Sequence, residues 1–125
     1  MPKVLIVDDD MDWVKVLAMR LRQGGFEVVA ATDAYQGVAL AHKESPDCII
    51  LDISMPAGGG MTALRNVRMT LPGQMTPVIV VSGVGEPETR RALQEAGVKT
   101  FLSKPCKAED VVEAIRKALE GADTA

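Results

Sequence analysis

A chain of 125 residues with 14 basic and 17 acidic side chains, a net charge of −3 and 47% hydrophobic residues has the balance of one globular domain. At such a length roughly 65–70% of the unfolded surface is buried without disulfide or metal staples, which excludes a disordered chain and a stapled mini-scaffold. The slight acidity and the lack of a Lys/Arg run exclude a basic nucleic-acid-binding face, and strongly apolar uncharged stretches such as Cys48–Leu51 are far short of the roughly 20 residues that cross a bilayer.

Short apolar runs alternate with amphipathic segments along the chain. The first run, Val4-Leu5-Ile6-Val7, ends in Asp8-Asp9-Asp10. It leads into a helical pattern from about Met11 to Gln23 with Val14, Leu17, Ala18 and Leu21 on one face and Gly24-Gly25 as its stop. Phe26–Ala30 is the second run, followed by a helix from about Ala34 to Glu44 that Ser45-Pro46 closes. The third, Cys48-Ile49-Ile50-Leu51, ends in Asp52, and the helix after it spans about Gly60 to Thr70, with Leu64, Val67 and Leu71 on one stripe before Pro72-Gly73. Val78–Val81 ends in Ser82-Gly83 and precedes a helix from near Pro87 to Gly97. Thr100-Phe101-Leu102 ends in Ser103-Lys104-Pro105, before a last helix carrying Val111, Ile115, Ala118 and Leu119. Cys48 and Cys106 share neither CxxC nor CxxH spacing and are expected as reduced thiols. The first residues lack a secretory pattern, so the expected location is the cytoplasm, without a direct nucleic-acid or membrane partner.

Consecutive β–α pairs with short connections demand right-handed crossovers, so the expected fold is α/β: a doubly wound parallel sheet of five strands with helices on both faces. The domain is expected over residues 1–121, with 122–125 as a short tail. In such a sheet the functional crevice lies at the carboxyl ends of the strands, where strand order reverses. The residues expected there are Asp8, Asp9, Asp10, Asp52, Ser82 and Lys104. Carboxylates about 5 Å apart repel by roughly 3 kcal/mol per pair at an effective dielectric of 20, so such a cluster calls for a cation or partial protonation. Hard oxygen ligands suit Mg²⁺. Taken alone, the aspartate triplet serves equally well as a helix cap with solvated acids in the first turn.

The pieces Val-Asp-Asp-Asp at 7–10, Leu-Asp-Ile-Ser-Met-Pro at 51–56, Val-Ser-Gly at 81–83 and Lys-Pro at 104–105 stand in one order, separated by 43 residues from Asp9 to Asp52, 30 to Ser82 and 22 to Lys104. In these the chain resembles the receiver domains of two-component response regulators, of the single-domain chemotaxis (CheY-like) type, from about Lys3 to Leu119. The resemblance implies a flavodoxin-like (βα)5 sheet of order 2-1-3-4-5. It also implies that Asp52 accepts a phosphoryl group from a sensor histidine kinase or histidine phosphotransfer protein, with Mg²⁺ held by Asp8, Asp9, Asp52 and the backbone carbonyl of Ser54. Lys104 supplies a second positive charge, Pro105 a cis peptide that aims it, and Ser82 the switch hydroxyl, whose movement vacates space for Phe101. The protein is then a signalling phosphoacceptor that assists its own phosphoryl transfer and dephosphorylation, rather than an enzyme acting on other substrates. Its output surface is the fourth helix, fifth strand and fifth helix, roughly Glu86 to Glu120, which engages an output protein or effector domain and also permits a homodimer.

Several positions depart from the common family pattern. The Ala57-Gly58-Gly59-Gly60 loop is expected to be mobile unless metal or phosphoryl group orders it. Cys106 stands where a bulky apolar residue is frequent, which questions the packing beneath the fifth helix. Trp13 is either simple packing or a partly exposed docking residue. Ser54 and Val84, at the positions that tune dephosphorylation in the family, are not water-orienting acids or amides, so the phosphoryl state is expected to be long-lived. Two alternatives compete. A flavodoxin-type flavin binder needs a Ser/Thr/Gly-rich phosphate loop after the first strand, where this chain has aspartates that repel phosphate. A degenerate receiver would act as a phosphorylation-independent interaction module.

Overall fold

The computed structural model describes residues 1–55, 59–69, 76–83 and 87–124. Strands β1 (Lys3–Val7), β2 (Glu27–Ala31), β3 (Cys48–Leu51), β4 (Val78–Ser82) and β5 (Thr100–Ser103) alternate with helices α1 (Met11–Gln23), α2 (Ala34–Glu44), α3 (Gly59–Arg68), α4 (Pro87–Glu95) and α5 (Ala108–Thr124). All strand pairs are parallel, in the order β2-β1-β3-β4-β5. This is the doubly wound fold expected from the alternation of runs. Leu71, Pro72-Gly73, the Pro56–Gly58 part of the glycine loop, Val84 and Glu86 lie outside the described residues. Among the described residues, no helix is long and apolar enough to cross a membrane.

The near-continuous apolar runs are explained by burial on both faces of the sheet. Val4 and Ile6 of β1, Cys48 and Ile50 of β3, and Ile79 and Val81 of β4 point to one side, where α1 and α5 cover them with Val14, Leu17, Leu21, Val111 and Ile115. Leu5 and Val7, Ile49 and Leu51, and Val78 and Val80 point to the other, against Ala63, Leu64 and Val67 of α3 and Leu93 of α4. A period of two along each strand thus builds two cores from one sheet. Cys106 and half-buried Trp13 both pack against the first core, so the site beneath α5 is filled and Trp13 is anchored there. Cys48 and Cys106 are free thiols.

Helix ends follow from local chemistry. Asp10 and Asp33 cap α1 and α2, accepting from the backbone N–H of Trp13 at 3.2 Å and Gln36 at 2.8 Å. Helix α1 closes in a Schellman motif: Gly25 takes φ +91°, its N–H donates to Arg22 O, and the N–H of Phe26 donates to Leu21 O. Phe26 therefore belongs to the helix cap, and β2 begins one residue later than the apolar run suggests. The same motif ends α4, with Gly97 at φ +85° and Val98 N–H on Leu93 O. Helix α5 runs through Thr124.

Gly60 marks the tightest helix–sheet approach, because a Cβ there would stand 2.3 Å from Ile53 Cα and 2.6 Å from Asp52 O. Only glycine lets the start of α3 sit directly on the backbone that follows β3. Gly60→Ala is expected to lower stability by about 2 kcal/mol through overpacking, despite the better helix propensity of alanine. Urea denaturation checks this, and an unchanged midpoint would show that the contact is loose.

Candidate functional site

The site residues are set by the sheet ladder. Asp8 N donates to Ala31 O at 3.1 Å and Asp52 N to Val7 O at 3.0 Å, so each aspartate extends its strand by one residue and the two emerge side by side. Lys104 N donates to Ser82 O at 3.0 Å and brings the end of β5 to the same edge. The Lys104–Pro105 peptide is cis. The placement puts polar groups where burial is deep: Asp8 is 2%, Asp52 4% and Ser82 0% exposed.

One ammonium holds the centre. Lys104 Nζ donates to Asp8 Oδ2 at 2.8 Å and to Asp52 Oδ2 at 3.2 Å. The remaining carboxylate oxygens are tied to the following loops by turns in which an aspartate accepts from the N–H two residues on. Asp8 Oδ1 accepts from Asp10 N at 2.9 Å. Asp52 Oδ1 accepts from Ser54 N at 2.8 Å and also from Ser54 Oγ at 2.6 Å. Asp9 is exposed, and carboxylate oxygens of Asp8, Asp9 and Asp52 lie within 4.8 Å of one another.

The aspartate triplet therefore divides: Asp10 is the helix cap, while Asp8 and Asp9 join Asp52 in an acidic cluster. Phe101 is half-buried against the second core and lies beside Val80 in the ladder. Sequence reasoning gave Ser54 a metal-binding carbonyl and a position that tunes dephosphorylation, and missed its hydroxyl on Asp52. A Ser two residues after an aspartate is itself a turn signal that points to this contact. Trp13 joins Asp10, Lys104, Pro105 and Cys106 around a concavity of about 370 Å³ beside the cluster.

The surroundings drive the two buried carboxylates apart in acidity. For Asp8, burial raises the pKa, and the neighbouring Asp52 charge adds to it, against the hydrogen bonds from Lys104 and Asp10 N. For Asp52 burial also raises it, but the two Ser54 donors, a hydrogen bond from Ser82 and the Lys104 charge outweigh burial and leave the pKa lowered. Burial pulls Lys104 down, and its bonds to Asp8 and Asp52 more than reverse that. With three carboxylates facing one ammonium, the cluster keeps a surplus of negative charge. Its hard, closely spaced oxygen donors suit a divalent cation that retains water ligands.

The chain matches the family model of the response regulator receiver domain over residues 4–116. It is similar to the transcriptional regulatory protein PrrA of Mycobacterium bovis, 36% identical over 94% of this chain. The DNA-binding dual master transcriptional regulator RpaA of Synechocystis is 29% identical over 98% of this chain. The chain spans 50% of the former and 51% of the latter. Among solved structures, chemotaxis protein CheY4 of Vibrio cholerae aligns with a TM-score of 0.89 at 30% identity, covering 95% of this chain and 99% of that one. The receiver domain of sensor histidine kinase PA1611 from Pseudomonas aeruginosa, which holds a magnesium ion in its active-site cleft, aligns at 0.84 with 25% identity over 95% of this chain and 98% of that one.

The pKa directions carry opposite signs for stability. Folding raises the Asp8 pKa, so its stabilising contribution exists at low pH and is lost as pH rises through the folded value; ionised Asp8 is destabilising at neutral pH. Folding lowers the Asp52 pKa, so its charge stabilises the fold above the unfolded value and that gain is lost only as pH falls. In metal-free buffer at pH 7, Asp8→Asn is expected to raise stability by on the order of 1 kcal/mol, roughly 4 °C in Tm. Asp52→Asn is expected to give no such gain. Differential scanning calorimetry separates the two, and equal Tm changes would contradict the assignment.

Proposed function

The chain belongs to the response regulator receiver-domain family, and from that premise we propose that it is the phosphoacceptor of a two-component phosphorelay, with Asp52 as the modified residue. The observation that carries this reading is the setting of Asp52: buried at the carboxyl edge of the sheet, with Ser54 N and Oγ donating to Oδ1 and Lys104 Nζ to Oδ2. A carboxylate oxygen of Asp52 attacks the phosphorus of a phosphohistidine, the P–O bond forms as the P–N bond breaks, and the imidazole leaves with its electron pair.

An anion attacking an anionic phosphoryl group needs positive charge on the transferring oxygens. Lys104 already bridges Asp8 and Asp52 and stands where it would meet those oxygens. Asp8, Asp9 and Asp52, with the Ser54 carbonyl that the resemblance adds, would hold Mg²⁺, which supplies further charge neutralisation and orients the phosphoryl oxygens. The magnesium ion in the PA1611 receiver supports the same choice. Ser54 releases Asp52 Oδ1 when that oxygen reacts, and Ser82 turns from Asp52 to the new phosphoryl oxygens.

In this reading the protein assists its own phosphorylation and dephosphorylation and acts on no other substrate. It works in the cytoplasm between a sensor histidine kinase or phosphotransfer protein and an output protein or effector domain that meets the α4–β5–α5 face, a surface that also permits a homodimer. The hydroxyl of Ser54 is too short to orient a hydrolytic water as an acid or amide does, which favours a long-lived phosphoryl state.

Intact-mass analysis after incubation with a small phosphodonor tests the reading. One Mg²⁺-dependent phosphoryl group is expected on the wild type and none on Asp52→Asn. Ser82→Ala is expected to keep that uptake while losing the conformational response. No uptake from either a small donor or a phosphorylated histidine kinase would make the chain a phosphorylation-independent interaction module.

A further inference from the structure

We propose that Arg90 is a positioning residue that holds the Phe101 ring half-exposed and so sets how far the unphosphorylated output face lies from its switched conformation. The proposal rests on the phosphoswitch reading above and names the contact that opposes it.

The Arg90 guanidinium carbon lies 4.4 Å from the Phe101 ring centroid. That is well inside the roughly 6 Å over which a cation is attracted to an aromatic face. The same guanidinium directs Nη2 to Ser103 Oγ at 3.5 Å, a weak tether. Phe101 and Ser103 alternate with Leu102 along β5 and share a face of the sheet. A planar guanidinium suits this arrangement because it stacks through its face while donating from its edge.

The contact reaches the chemistry through the ladder. Phe101 is the partner of Val80 in β4, and Ser103 is the partner of Ser82. Arg90 thus grips the switch aromatic and the residue in register with the switch hydroxyl. Leu93 is the buried residue of helix α4. Arg68 pins the carbonyl that follows the helix, donating from Nε to Ala96 O at 3.0 Å and from Nη1 to Thr76 O at 2.6 Å. Movement of the Phe101 ring toward the buried side of Ser82 must therefore break the Arg90 stack, while Arg68 and Leu93 keep the far end of α4 in place.

An exposed stack of this kind biases an equilibrium by roughly two- to five-fold. The chain has two phenylalanines, Phe26 and Phe101, so fluorophenylalanine labelling yields two ¹⁹F resonances, and Phe101→Leu identifies one of them. In unphosphorylated Arg90→Ala, the Phe101 resonance is expected to move part of the way to its position in the phosphorylated wild type, corresponding to a shift of roughly two- to five-fold in population. Arg90→Lys, which keeps the charge but not the planar stack, is expected to lie between. A Phe101 resonance that moves on phosphorylation but is unchanged in Arg90→Ala overturns the role of Arg90 and leaves the phosphoswitch standing. A resonance that moves in Arg90→Ala but not on phosphorylation also overturns the proposal, because Phe101 then takes no part in the switched conformation.

Discussion

The site is built around a charge imbalance. Three carboxylates offer oxygens within 4.8 Å of one another, and one ammonium, Lys104, stands between the two buried ones. Carboxylates at such separations repel by roughly 3 kcal/mol per pair at an effective dielectric of 20, so they persist together only where other groups compensate. The compensation is unequal. Asp52 receives two donors from Ser54 and one from Ser82, whereas Asp8 has one backbone N–H besides Lys104. Asp52 is thereby equipped to remain an anion, and Asp8 is the carboxylate with most to gain from a cation.

The imbalance is imposed by the backbone. Hydrogen bonds from Asp8 N to Ala31 O and from Asp52 N to Val7 O lock both aspartates to the ladder, and each side chain then caps its own exit loop. Neither carboxylate can swing away without breaking the side-chain bond to its own exit loop. Gly60 adds a constraint from the opposite side, letting the start of α3 rest against Asp52 O and Ile53 Cα. A methyl group there would push on the backbone that carries Asp52, so the position couples fold stability to site geometry.

Much of this was legible in the residues. The Val14, Leu17, Ala18 and Leu21 stripe is the buried face of α1, and the run-helix alternation specifies the parallel sheet. The carboxyl-end constellation followed because parallel strands must all end at one edge. Asp10 was ambiguous for a physical reason: a helix cap and a metal ligand call for the same residue type, and only the Trp13 N–H contact separates them. Phe26 was drawn into a strand by its hydrophobicity, although its N–H completes the cap of α1. Arg68 and Arg90 were missed because periodicity treats polar side chains as solvent-facing and their contacts join separate elements, whereas the Ser54 hydroxyl lies only two residues from Asp52 and was missed as a local turn signal.

The position of β5 determines where a change at the site can travel. Val80 and Val81 of β4 are 0% and 1% exposed, packed on both sides of the sheet. Close-packed interiors do not compress, so a displacement of Ser82 cannot be absorbed within β4. Its backbone carbonyl is bonded to Lys104 N, and its register partner is Ser103. The neighbouring strand is an edge, and Thr100, Phe101 and Leu102 are each only partly buried there. The free-energy cost of moving side chains is lowest where fewest contacts are lost. A disturbance that begins among the carboxylates therefore emerges on β5 and on the face of α4 that Arg90 presents to it.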